Sequence, residues 1–285
     1  MPDLWTDLLR CLDLRPQQDS PTAESDVPRR DNTNRAAPLS VFEGTNQHLD
    51  YHRLFGGQLL AQFVRAATAA CPDKAVKSVH VLFAREGKSD APVYYIVHSQ
   101  HQGRSFAAVT VTARQKGEVI GTAAVSMHAV EEGFAHQTLA ADAPLLPPER
   151  RVHLDLIPWE TRAVADLDDT ATGPAAYDLW MRTPAVGQDM AAPLVAYATD
   201  LNLIGTALRV VDGVGQRGNG TSFTSATTSH TVWFHRPFRA DEWLLLRHHS
   251  PILAHGRCFG RGDVFTEDGD LVASFAQEAL LRFRP

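Results

Sequence analysis

Two stretches far apart in the chain spell one pattern. "GRSFAAVTVTARQKGEVI" begins at Gly103 and "GRCFGRGDVFTEDGDLV" at Gly256; each runs Gly-Arg-x-Phe, then a strand, then a turn glycine 14 or 13 residues on, then another strand. The surroundings repeat as well. "FGGQLLAQFVRAATAA" (55–70) carries Leu59, Leu60, Phe63, Val64 and alanines at helical spacing, is entered through Gly56-Gly57, and precedes four strand-like runs, the last two joined at Lys116-Gly117. In the second half a helix over about 190–209 precedes "HTVWFHRPF", "EWLLLRHHS", "GRCFGRGDVFT" and "LVASFAQEALLRF", the last two joined at Asp268-Gly269. Such self-similarity points to two copies of one unit that pack against each other. The expectation is a duplicated α+β fold, two helix-plus-antiparallel-sheet units with their sheets side by side, each long helix wrapped by strands.

The remaining segments divide the chain. Leu4, Trp5, Leu8, Leu9 and Leu12 form one face of a short helix, and residues 15–38 are polar, proline-bearing and almost free of large apolar side chains, which reads as a flexible loop. Residues 138–180, rich in Pro, Ala and Asp without a sustained period, read as the connection between halves. The expected divisions are an N-terminal helix and loop at 1–38, a first unit at 39–137, the connection at 138–180 and a second unit at 181–285.

Composition excludes several classes of function. A net charge of -6, with Lys and Arg scattered, offers no basic stripe for a nucleic-acid backbone. The three cysteines, Cys11, Cys71 and Cys258, are odd in number and lack CxxC spacing, which points to a reducing, cytoplasmic setting with neither a disulfide framework nor a zinc site. No apolar run approaches the roughly 18 residues of a membrane span, and the first residues lack the plan of a signal peptide.

Two polar residues interrupt apolar patterns. In "AYATDLNLIGTALR" the apolar stripe runs through Leu194, Tyr197, Ala198, Leu201, Ile204, Gly205 and Leu208, and Asp200 falls about 40° beyond Ile204, at the edge of that stripe. Helical periodicity alone is compatible with a half-exposed aspartate on a polar flank. In the last strand Ala273, Phe275, Gln277, Ala279 and Leu281 share one face while Ser274, Glu278 and Arg282 mark the other as wet, so Gln277 points inward and needs hydrogen-bond partners there. Eight residues after the turn glycine the second copy has Gln277 where the first has Val125. One copy is then structural and the other contributes polar groups, although a satisfied structural glutamine is also consistent with one amide.

The segments "RLFGGQLLAQ", "HVLFAREG", "GRSFAAVTVTARQKGEVIGTAAVSMH", "EEGFAHQ", "LVAYATDLN", "WFHRPFRADEWLL" and "LVASFAQEALLR" together resemble the acyl-CoA thioesterase II family, the double hotdog enzymes, over about residues 39–284. The resemblance implies hydrolysis of fatty acyl-CoA to free acid and CoA, without a cofactor or metal, by a chain assembled as a dimer or tetramer. In that family an Asp, a Ser or Thr, and a Gln hold the attacking water. The matching positions here are Asp200, Thr227 and Gln277. The chain departs from the common pattern at Ser229, where many members carry aspartate. If its strand is regular, Thr227, Ser229, Thr231 and Trp233 share one face.

These residue types suit the chemistry. A thioester carbonyl is activated enough for direct attack by water, with Asp200 accepting the proton and Thr227 and Gln277 fixing the water. The developing oxyanion needs donors, for which backbone amides at the start of the first long helix, at Gly57 and Gln58, are candidates. Arg85 could meet a CoA phosphate or a neighbouring carboxylate.

Other motifs lead elsewhere or nowhere. Gly213-Val-Gly215-Gln-Arg-Gly218 matches GxGxxG but follows a helix and reads as a loop. No GxSxG or HExxH occurs, His248 and His249 would point to opposite sides of a strand and read as surface histidines, and His80 reads as structural. Two other readings remain open at this stage, another hotdog acyl-CoA enzyme such as a hydratase, which would use a closely spaced Asp and His, and a non-catalytic acyl-CoA binder.

Overall fold

The computed structural model describes residues 3–17, 40–49 and 53–284, arranged as two compact units divided between Glu132 and Gly133. Most of the expected flexible loop, residues 18–38, lies outside the described residues. Arg15 and Pro16, at its start, pair with Glu43 and Phe42 as a short strand. No helix among the described residues is long and apolar enough to cross a membrane.

The first unit comprises α1 (Leu4–Leu12), β1 (Arg15–Pro16), β2 (Ser40–Gly44), α2 (Gly56–Ala70), β3 (Ala75–Phe83), β4 (Val93–Gln102), β5 (Phe106–Gln115) and β6 (Glu118–His128). Its strands are antiparallel in the order β1-β2-β4-β5-β6-β3. The β5–β6 hairpin closes on Lys116 and Gly117, both at positive φ (50° and 80°), the two-residue turn whose twist suits flanking strands and which glycine adopts at little cost. Helix α2 packs on β2 through β6, and Leu60, Phe63, Val64, Ala66 and Ala67 are buried along it.

A helix wrapped this completely also buries its polar residues, which must then be satisfied. Gln58 donates to Asn46 Oδ1 (3.0 Å) and to Gln62 Oε1 (3.1 Å), while Gln62 donates to the carbonyls of Cys11 and Thr45 and accepts from the Tyr95 hydroxyl at 2.7 Å. The network ties α1, α2, β4 and the segment after β2 together. Asp7 on α1 is buried with the Arg10 guanidinium and the His48 backbone N–H, which hold its carboxyl below the ordinary range against the opposing effect of burial.

The second unit comprises β7 (Arg151–Val152), β8 (Glu160–Ala163), β9 (Ala176–Arg182), α3 (Ala191–Thr199), α4 (Leu203–Leu208), β10 (Phe223–Phe234), β11 (Leu244–Ala254), β12 (Arg257–Thr266) and β13 (Leu271–Phe283). Its antiparallel strand order is β10-β13-β12-β11-β9-β8-β7. Read from the other end, β9-β11-β12-β13-β10 reproduces β2-β4-β5-β6-β3. The repeat seen in sequence is therefore a repeat of topology.

Two expectations need correction. The 138–180 segment is more than a connection: β7, β8 and most of β9 lie in it and extend the second sheet, and Ala141, Ala143, Leu145 and Leu146 pack on Trp180, Trp243, Leu245 and Phe265. Its Pro, Ala and Asp content hid β7 and β8, which are only two and four residues long, and the start of β9, which carries the buried Tyr177, Leu179 and Trp180. The single helix over about 190–209 is broken into α3 and α4 at Asp200-Leu201-Asn202. Thr199 lies at the break, with its hydroxyl 3.0 Å from the Ala196 carbonyl.

Candidate active site

The break delivers Asp200 to the C-terminal end of α3, where it is 7% exposed. A carboxylate there faces the negative end of the helix dipole, so the fold has to supply donors. One comes from β10. Thr227 Oγ1 donates to Asp200 Oδ1 at 3.0 Å. The half-exposed position compatible with periodicity alone does not occur.

Thr227 reaches Asp200 because β10 is irregular. Against β13, Thr227 faces Ala279 and Ser229 faces Glu278, so Thr228 is an extra residue in the ladder, a β-bulge. The bulge shifts the alternation. Upstream of it Phe223, Ser225 and Thr227 turn inward; downstream His230, Val232 and Phe234 do, while Trp233 is 40% exposed. The regular face expected for Thr227, Ser229, Thr231 and Trp233 is thus corrected. Ser229, opposite the outward Glu278, stands on the other side of the strand from His230.

Gln277 is buried at 2% exposure on the inward face of β13, as the alternation predicts. It lies directly between His230 on β10 and Gly260 on β12. The matching row of the first unit is Val79, Val125 and Val109. Three valines in one copy are His, Gln and Gly in the other. A Cβ on Gly260 would come within 2.6 Å of Leu203 Cδ2, so the glycine gives α4, three residues after Asp200, room to approach the sheet.

His230 is the residue that sequence reasoning missed. It has no exposed surface, its Nδ1 lies 2.9 Å from Gln277 Oε1 and 3.9 Å from Asp200 Oδ1, and its Nε2 lies 2.9 Å from Thr199 Oγ1. Its ring stacks on Phe275 with an interplanar angle of 10°. Burial pushes His230 down from 6.5 to about 4, only partly opposed by the bond to Gln277, so it is neutral at neutral pH. Its alternation with Val232 and Phe234 was a readable signal of an inward position. The amide nitrogen of Gln277 has no hydrogen-bond partner, and Asn202, two residues after Asp200, is fully buried with neither end of its amide bonded. An orphaned buried amide costs about 1–3 kcal/mol, a cost met at sites where a ligand completes the bonding.

The other sequence candidates take ordinary places. Gly57 and Gln58 stand in the first turn of α2 in the first unit, with the Gln58 N–H donated to the Phe55 carbonyl at 3.1 Å. Arg85 pairs with Glu118, the neighbouring-carboxylate alternative. His80 is exposed and bonded to Ser78. His248 is not a surface histidine: it is buried, with Nδ1 3.0 Å from the Tyr177 carbonyl, while His249 is exposed on the opposite side of β11. The GxGxxG segment is a loop ending in one 3-10 turn, Gln216–Gly218.

Family models decide what kind of protein carries this arrangement. The acyl-CoA thioesterase N-terminal domain matches residues 47–128 and the acyl-CoA thioesterase C-terminal domain matches residues 131–281. The chain belongs to the acyl-CoA thioesterase II family. Among curated relatives, Acyl-CoA thioesterase 2 of Haemophilus influenzae is 32% identical over 269 residues, covering 85% of this chain and 92% of its own. Acyl-coenzyme A thioesterase 8 of Homo sapiens is 28% identical, covering 86% and 85%. Among solved structures, the acyl-CoA thioesterase II TesB2 of Mycobacterium marinum superposes with a TM-score of 0.73 at 28% identity over 97% of each chain. The thioesterase is therefore a double hotdog protein, and each of its units has the wrapped-helix plan expected from the sequence.

Proposed function

We propose that this thioesterase hydrolyses fatty acyl-CoA without a covalent enzyme intermediate, by attack of a water held by Asp200, Thr227 and Gln277. The observation that carries the reading is the Thr227–Asp200 hydrogen bond, formed beside an inward glutamine in a chain of this family. Its direction matters. Because the Thr227 proton is given to Asp200, the threonine oxygen keeps lone pairs with which to accept a hydrogen from water. A water that donates one hydrogen to Thr227 and the other to Asp200 presents a lone pair to the thioester carbonyl carbon.

As the new C–O bond forms, Asp200 takes the proton and the carbonyl electron pair moves onto oxygen. Collapse of the tetrahedral intermediate then breaks the C–S bond, and sulfur leaves with its electron pair as the CoA thiolate. The proton on Asp200 returns to that sulfur or to solvent. The residues themselves supply base and positioning, and coenzyme A enters only as part of the substrate.

The hydratase alternative would use an Asp–His pair, and Asp200 and His230 do lie 3.9 Å apart. Both ring nitrogens of His230 are engaged, by Gln277 and Thr199, and the ring is wholly buried, so it is poorly placed to exchange a proton with a substrate. Its place supports hydrolysis. The three buried, unbridged cysteines are in keeping with the cytoplasmic location that belongs to this reading, as does assembly into a homodimer or homotetramer. Sedimentation of the purified chain tests the assembly. CoA release from a panel of acyl-CoAs tests the activity: turnover by the native chain and its loss in Asp200→Ala are expected, and full activity in Asp200→Ala would overturn the site.

A further inference from the structure

We propose that His230 is a positioning residue: by donating its Nδ1–H to Gln277 Oε1 it turns the Gln277 carboxamide so that the NH2 end faces the reacting group. This rests on the reading of Gln277 as a residue at the reaction centre.

The argument turns on which ring nitrogen carries the hydrogen. His230 is neutral, so one nitrogen donates and the other accepts. Nδ1 faces Gln277 Oε1 at 2.9 Å and the Asp200 carboxylate at 3.9 Å. A hydrogen on Nδ1 meets an acceptor and a negative charge favourably; a bare lone pair there would face that charge. Nε2 then accepts from the Thr199 hydroxyl at 2.9 Å, since imidazole nitrogen is a stronger acceptor than the Ala196 carbonyl that the same hydroxyl can reach. The Phe275 ring stacked on His230 holds the imidazole plane.

With Oε1 committed to His230, Gln277 is left with amide hydrogens as what it offers. Those are the atoms without partners in the structure. Gln277 therefore donates to an oxygen, the water's or the thioester's developing oxyanion, and does not accept a hydrogen from the water. That division leaves both water hydrogens to Asp200 and Thr227. The first unit, with Val79 and Val125 at the matching positions, has neither the amide nor the ring that would orient it.

Three variants and one spectrum test this. His230→Asn can place an N–H near the Nδ1 position and is expected to keep kcat within about 3-fold. His230→Leu removes the donor, and His230→Gln carries its amide toward Thr199 instead; both are expected to lose about 10- to 100-fold in kcat with KM within about 3-fold. Equal losses in all three variants, following their thermal stabilities, would mean a structural role and overturn the proposal. Long-range 1H–15N spectra of the native chain with labelled histidine need no variant: a proton on Nδ1 is expected, and a proton on Nε2 overturns the assignment. Asp200→Asn separates this proposal from the one beneath it. If Asp200→Asn is inactive and His230→Leu is fully active, only the role of His230 fails; if Asp200→Asn is fully active, the site itself is wrong.

Discussion

Thr227, on a bulged strand, gives its hydroxyl hydrogen to Asp200 at the end of a broken helix, 3.0 Å away. The two irregularities meet in that bond. Neither a continuous helix nor a regular strand would bring the pair together. Replacing Thr227 by Ser keeps the donor and acceptor and should leave kcat within about 3-fold, whereas Thr227→Val should lower it about 10- to 100-fold. Asp200→Asn, which removes the base, should lower it by about 10²- to 10⁴-fold. Steady-state CoA release, with circular dichroism to check folding, measures all three.

Gly260 tests how closely the helix break must approach the sheet. A methyl group at this position meets Leu203, which is itself buried, so Gly260→Ala should cost about 1–3 kcal/mol by overpacking and reduce kcat by shifting the segment that carries Asp200. Adding Leu203→Ala should recover part of the stability lost in Gly260→Ala. Urea unfolding of the single and double variants reads this as a coupling energy.

His230 and His248 give the stability a defined pH dependence. Both are buried and held at about 4 in the fold, against 6.5 for an ordinary histidine, so between those values the unfolded chain binds protons that the native chain does not. Stability from this source is complete above pH 6.5 and is lost as pH falls toward 4, on the order of 1 kcal/mol per pH unit for each histidine. Asp7, whose carboxyl is held below 3.8, adds its loss only at lower pH. Melting temperatures from pH 7 to 4.5 should therefore fall, and His230→Asn should reduce the slope by about half.

The first unit provides the contrasting case. Tyr95→Phe removes the hydroxyl bonded to Gln62 Oε1, which still accepts from Gln58, so it should cost about 1 kcal/mol in unfolding free energy. Its kcat should stay within about 2-fold, because the side chains of the network tie helices and strands together and none of those side chains is assigned to the reaction. A large loss of kcat at unchanged stability would show that the first unit takes a direct part.

Much of this was legible in the residues. Strand alternation places Gln277 inward, and the comparison with Val125 singles it out from the sequence. The repeat foretold the shared strand order of the two units. Periodicity showed Asp200 only as an oddity and the family resemblance marked it as the base; its burial was not legible, because helical periodicity assumes an unbroken helix and the break at Leu201-Asn202 has no glycine or proline to announce it. The bulge was hidden for a similar reason: Thr228 is as good a strand residue as its neighbours, and only the register against β13 marks it as extra. His230 was overlooked because a histidine among apolar strand residues reads as bland until its partners are seen. The strands inside 138–180 were masked by a composition that suits turns.

The extra residue at Thr228 has a consequence for how such a strand can drift. It puts Thr227 and His230 on one side of β10 although an odd number of positions separates them, which uniform alternation forbids. Point substitution can change either side chain but cannot restore their shared side once the bulge is gone. Loss of one residue here would need a compensating gain nearby, so the strand tolerates exchanges of letters far more readily than changes in their number.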